Sequence, residues 1–209
     1  MTPEDVEAHF TRTDGSYHFA RWGRAISPVL FGVDEASLKV LKGAIEAVVV
    51  LAGHKLSDVD PELGANLMMF FVRDWQELAD TPNLEKMIPD LAGLVSRLRG
   101  ADANQYRTFR FDDMGAIKAC FVFLKMDDAM AAQSAESLAL SQVVQAILMW
   151  SQAAFASKSP LARISGDGAI ILRPEIGELI RAAYDPVLPP VADDRSHAIR
   201  LFARMDIEL

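Results

Sequence analysis

The chain has 209 residues, 51% of them hydrophobic and 24% charged, a balance that builds one globular domain with an ample core. Its formal net charge of −8 opposes a phosphate backbone and argues against nucleic acid as a partner. The close basic pairs Arg21 with Arg24, Arg97 with Arg99, and Arg107 with Arg110 form no stripe and read as solvated arginines.

Cys120 is the one cysteine, so no intrachain disulfide can form. The acidic start, Met1-Thr2-Pro3-Glu4-Asp5, lacks the apolar stretch of a signal peptide. Apolar runs such as residues 44–52 are too short to span a membrane and are broken by Glu46. The expected location is the cytoplasm. The expected organisation is a single domain over 1–209, with an N-terminal extension (1–25), a sheet-rich half (26–133) and a helical half (134–209).

In chain order, residues 1–10 suit a short acidic helix and 27–33 a buried strand, with Pro28 at its start. Asp34 caps a helix whose apolar face is Leu38, Leu41, Ile45, Val48, Val49 and Ala52, and Gly53 ends it. Residues 55–59 suit a short strand. Residues 65–72 are apolar throughout, as a strand covered on both faces would be. Asp74 and Glu77 have capping-box spacing for a short helix, and Pro89 opens another that stops at Gly100. Residues 106–111 and 116–124 flank the turn Asp112-Asp113-Met114-Gly115 and form a hairpin.

Ser134 caps a long helix expected to reach about residue 156, before Pro160. Pro174 begins a helix through Tyr184, and a last one covers about 194–205. The fold class implied is α+β: a mixed, mainly antiparallel sheet with flanking helices.

Chemical signatures are incomplete. No two of His9, His18, His54 and His197 are spaced as a zinc-binding pair, and no metal or cofactor is expected. Asp58, Asp60 and Glu62 begin something like a calcium loop, but its twelfth position falls at Met69. Ser165 in its glycine turn has no marked base, and the pairs Asp112-Asp113, Asp127-Asp128 and Asp193-Asp194 read as caps.

The long helix is the informative element. Stepped at roughly 100° per residue, it gathers Leu140, Val143, Val144, Ile147, Trp150 and Ala154 on one side, a core stripe. Leu138, Gln142, Gln145, Met149 and Gln152 gather on the other, either a solvent face or the lining of a cleft.

A sheet, a hairpin with an edge strand and then a long helix is similar to the order of the zincin-like metallopeptidases. In that fold the helix carries His-Glu-x-x-His, and the equivalent window here is Ser141-Gln142-Val143-Val144-Gln145. The region from about 116 to 190 more closely resembles an uncharacterised bacterial family related to those peptidases. That family has Glu-Glu-x-x-Gln on this helix, then Leu-x-x-x-Tyr-Asp-Pro, close to Leu179-Ile180-Arg181-Ala182-Ala183-Tyr184-Asp185-Pro186.

The resemblance implies a zincin-like fold with its chemistry removed. Ser141 and Gln145 stand where the zinc-binding histidines would be, and an amide is a poor zinc ligand. Gln142 stands where the general-base glutamate would be, and an amide cannot take the proton of attacking water. The expected function is therefore a non-catalytic pseudo-peptidase that binds a protein or peptide through a cleft at Ser141, Gln142, Gln145, Met149 and Gln152, beside the strand at 116–124. Two rivals stand beside it. One is an enzyme of other chemistry using Tyr184, Asp185 or His54. The other is a self-associating protein with Trp75, Trp150 or the Met-rich segments at an interface. The pattern leaves oligomeric state open.

Overall fold

The structure is a computed structural model that describes residues 1–57, 64–164 and 168–205. Its elements are α1 (Pro3–Ala8), β1 (Phe19–Ala20), β2 (Pro28–Phe31), α2 (Glu35–Leu51), β3 (Leu67–Val72), α3 (Gln76–Ala79), α4 (Leu84–Met87), α5 (Leu91–Gly100), β4 (Gln105–Phe111), β5 (Ile117–Lys125), α6 (Asp128–Ala131), α7 (Ala135–Ile147), β6 (Leu161–Arg163), β7 (Ile170–Leu172), α8 (Pro174–Ala183), β8 (Val191–Ala192) and α9 (Ser196–Phe202).

The fold is α+β around a mixed four-stranded sheet ordered β2-β3-β5-β4. β2, β3 and β5 run parallel, and β4 alone is antiparallel, so the mainly antiparallel pairing expected is corrected in this sheet. The reason is the connections. α2 returns the chain to the starting end of β2, which makes β3 parallel to it, and the β4–β5 hairpin then lays β5 alongside β3 in the same sense. Apolar runs reveal strands but not their direction. Two small antiparallel pairs, β1 with β8 and β6 with β7, lie outside this sheet.

Side-chain alternation divides the strands between two cores. Leu67, Met69 and Phe71 of β3 join Cys120, Val122 and Leu124 of β5 under α2 and α7. Met68, Phe70, Val72, Phe121 and Phe123 face the opposite way, under α3, α4 and α5. β3 is buried at all six positions for this reason. Asp34 starts α2 by accepting the Ser37 N–H at 2.7 Å. Gly32 turns the chain at φ +79°, where a Cβ would collide with the Phe71 carbonyl. Val6, Phe10, Tyr17, Phe19 and Trp22 bring the first 25 residues into the larger core. Among the described residues no helix is long and apolar enough to cross a membrane.

α7 begins as its sequence predicts, with Ser134 Oγ accepting the Ser137 N–H at 3.2 Å. Its end is corrected: it stops at Ile147, well short of 156. Leu148 turns extended (φ −135°, ψ 160°) and bridges to Arg21, and the Met149 N–H donates to the Ala20 carbonyl at 3.0 Å. Three carbonyls released at the helix end accept from aromatic side chains instead. Trp150 Nε1 donates to Val144 at 2.8 Å, Trp22 Nε1 to Ala146 at 2.9 Å, and the Tyr184 hydroxyl to Ile147 at 2.8 Å.

Trp150 therefore lies beyond the helix. It is half-buried, stacked on Phe10 at 5.4 Å between centroids, and not on a helical core stripe. The strand expected at 55–59 is reduced to a single bridge between Ile26 and Leu56, and its last two residues lie outside the described ones. Asp58, Asp60 and Glu62 of the calcium-like run, and Ser165, lie outside them too.

Candidate functional site

The hairpin fixes which groups β4 turns outward. The Lys125 N–H donates to the Asn104 carbonyl at 2.8 Å, and the register runs from Gln105 opposite Leu124 to Arg110 opposite Ala119. Tyr106, Thr108 and Arg110 thus spend their backbone groups on β5, while those of Gln105, Arg107 and Phe109 face the open edge. The same parity puts the side chains of these last three on the α7 side, beside Leu124, Val122 and Cys120. Arg110 goes to the other face, with its guanidinium 5.7 Å from the centre of the Phe121 ring.

Arg107 and the glutamines of α7 form one network. Arg107 Nη2 donates to Gln142 Oε1 at 2.6 Å and Nη1 to Gln145 Oε1 at 3.3 Å. Gln142 Nε2 then donates to Gln105 Oε1 at 3.0 Å, and Gln145 Nε2 to Ser141 Oγ at 3.1 Å. A guanidinium only donates, so it sets both amides with their oxygens inward. Gln142 is 2% exposed, which makes it a buried strut and no part of a solvent face.

In front of this network lies a cleft of about 540 Å³. Gln105, Arg107, Ser141 and Gln145 line one side, Trp150 and Phe155 another, and the segment 156–160 with Lys158 closes the rim. Of the five expected cleft residues, Ser141, Gln145 and Gln152 line it. Gln142 stands behind it, holding Arg107. Met149 packs against the core instead, because the helical spacing that placed it has already ended at Ile147. The groove expected beside 116–124 is also corrected: β5 is interior, between β3 and β4, and the cleft follows β4.

Arg107 carries the unusual electrostatics. Burial lowers its pKa, and no carboxylate of the described residues lies within ion-pair distance of it. Its Nε is buried and has no hydrogen-bond partner among the described residues. Cys120, opposite Phe109, is fully buried, and burial pushes its thiol up to about 12, which keeps it from acting as a nucleophile at neutral pH.

The rival candidates are absorbed by structure. The Tyr184 hydroxyl donates to the Ile147 carbonyl and accepts the Trp22 N–H at 3.4 Å. Asp185 is held below the usual carboxylate range by the Val187 N–H and by Arg204, 2.8 Å away. His54 Nε2 sits 2.8 Å from the Arg24 carbonyl, and burial lowers its pKa. Asp112, Asp127 and Asp194 accept backbone N–H groups at turns or helix starts.

Trp75 is 1% exposed, with its indole N–H on the Ala103 carbonyl, so it is absent from any surface. Among the described residues no three His, Cys, Asp or Glu side chains converge in a metal-holding group.

Two residues escaped the sequence reading. Arg107 and Arg110 read as a solvated pair in the sequence, but strand parity sends the two to opposite faces. His197 is fully buried, its Nδ1 3.0 Å from the Tyr17 hydroxyl, and no local pattern marks it. Compared with known proteins, the chain matches no family model, no curated protein and no solved structure.

Proposed function

We propose that the chain is a non-catalytic peptide-binding domain, a zincin-like pseudo-peptidase, with its binding site in the cleft between β4 and α7. The observation that carries this reading is the open edge of β4 running along a cleft lined by amides and hydroxyls. An extended peptide added to that edge would exchange hydrogen bonds with the backbone of Gln105 and Arg107, while Ser141, Gln145 and Gln152 offer donors and acceptors to whatever lies beyond it. The resemblance supplies the non-catalytic part: the helix that follows the hairpin bears Ser141, Gln142 and Gln145 where a zincin has its ligands and base.

Panning the immobilised protein against a random peptide library tests this directly. Bound sequences are expected to protect the amide hydrogens of Gln105, Arg107 and Phe109 from exchange. Recovery no better than a blank surface, or binders that leave β4 unprotected, would refute the site. After dialysis against a chelator the protein is expected to hold no equimolar zinc and to cleave none of the recovered peptides. Retained zinc, with cleavage abolished by Gln142→Ala, would instead mark a working peptidase.

A further inference from the structure

We infer that Arg107 is the receptor for a single carboxylate of the bound ligand. This rests on the reading of the cleft as a peptide site and names the group that the peptide must bring. A guanidinium has five N–H donors. Those of Arg107 make two hydrogen bonds, both to neutral amide oxygens of α7. Amide oxygens orient a cation but do not cancel its charge. An arginine set against an apolar sheet face, with no counter-ion among the described residues, is expensive for the fold to keep.

Comparison within the molecule shows what is special about this position. Arg21 and Arg24 also have a buried Nε without a partner among the described residues. Arg21, however, lies over the Tyr184 ring at 5.4 Å, donates to the Leu188 carbonyl at 3.0 Å and feels the charge of Asp185. Neither Arg21 nor Arg24 lines the cleft, whereas Arg107 does. A guanidinium is planar and forked, a shape that suits a carboxylate, and Nη1 and Nη2 of Arg107 each keep one further N–H.

The charge balance selects a monoanion. Lys158, the other cation at the rim, is already engaged with Glu175 at 2.8 Å. A cation without a counter-ion among the described residues, inside a chain of net charge −8, suits one carboxylate better than a dianionic phosphate. That carboxylate can be the peptide's C-terminus or an Asp or Glu side chain, and the two sources separate by experiment.

Three random N-acetylated peptide libraries are offered to the full chain. The first has free C-termini and no Asp or Glu, the second has amidated C-termini and contains Asp and Glu, and the third is amidated and lacks acids altogether. Affinity selection read by mass spectrometry is expected to favour the first or second over the third by about 10- to 100-fold, the worth of a charge-assisted pair. Whichever library wins identifies the source. Arg107→Met is expected to erase that difference while leaving the melting temperature near that of the wild type, and Arg107→Lys to recover only part of it. Equal binding of all three libraries, still protecting β4, would overturn the carboxylate receptor and leave the peptide site standing. If no library binds, acetate is titrated while the Arg107 Nε–Hε resonance is followed. A saturable shift absent from unrelated arginines would sustain the receptor without the peptide reading, and an unmoved resonance would remove both.

Discussion

Two polar clusters interleave along the last two turns of α7, and they differ in what they leave over. At the helix end, the carbonyls of Val144, Ala146 and Ile147 each receive one neutral aromatic donor, from Trp150, Trp22 and Tyr184. Each of these carbonyls is matched, and the donors come from three separate parts of the chain. On the face toward β4, Gln142 and Gln145 hold a cation whose charge nothing described cancels. The first cluster behaves as a lock that fixes where α7 stops and where the first 25 residues dock. The second is orderly yet incomplete, and it faces a cleft. A buried polar network that is fully satisfied does structural duty, whereas one with spare capacity at a cavity invites a ligand.

The largest effect should come from the lock. Trp22 is 1% exposed, and Trp22→Ala is expected to cost about 3–5 kcal/mol in urea unfolding by removing both its packing and its indole donor. A loss near zero would mean that the helix end does not depend on it.

His197 sharpens the comparison, because it is a base that burial can neutralise while Arg107 is not. Burial first, and Arg200 next, pull its pKa down from 6.5 to about 4. The unfolded chain therefore binds the proton more tightly than the folded one across that interval. Stability is complete above pH 6.5 and falls as pH drops toward 4, by roughly 3 kcal/mol at most from this residue. Unfolding measured against pH should show that slope, and His197→Phe should flatten it. An unchanged slope in the variant would place the titration elsewhere.

Tyr184→Phe keeps the ring but leaves the Ile147 carbonyl without its donor and the Trp22 N–H without its acceptor. The expected loss is about 1–3 kcal/mol. Smaller still is Arg107→Met, expected to lie within about 1 kcal/mol of the wild type, because the two hydrogen bonds lost are offset by the unpaired charge removed. A large loss there would turn the open cluster into a second lock.

Local chemistry made much of the fold legible. The Ser134 and Asp34 caps, the doubly covered β3 and the hairpin around Asp112 all follow from signals within a few residues. The end of α7 was not legible, because the partners that stop it, Ala20, Trp22 and Tyr184, are remote in sequence. The glutamine stripe marked the right helix face as far as Gln145, then failed at Met149 once the helical period stopped. Arg107 needed a tertiary fact, namely that β4 is the strand opposite this face. Only its parity with Gln105 and Phe109 was available beforehand.

The most direct test of the incomplete cluster is the stability of Gln142→Glu. That change places a carboxylate where the amide oxygen now sits, 2.6 Å from Arg107 Nη2, and exposed Gln105 can turn its amide to donate to it. If the cation is uncompensated, the variant is expected to gain about 1 kcal/mol or more at neutral pH, to lose that gain below about pH 4 as the new carboxyl protonates, and to bind no carboxylate in the cleft. Destabilisation at neutral pH, with binding intact, would contradict the view that Arg107 is held in wait for a charge from outside.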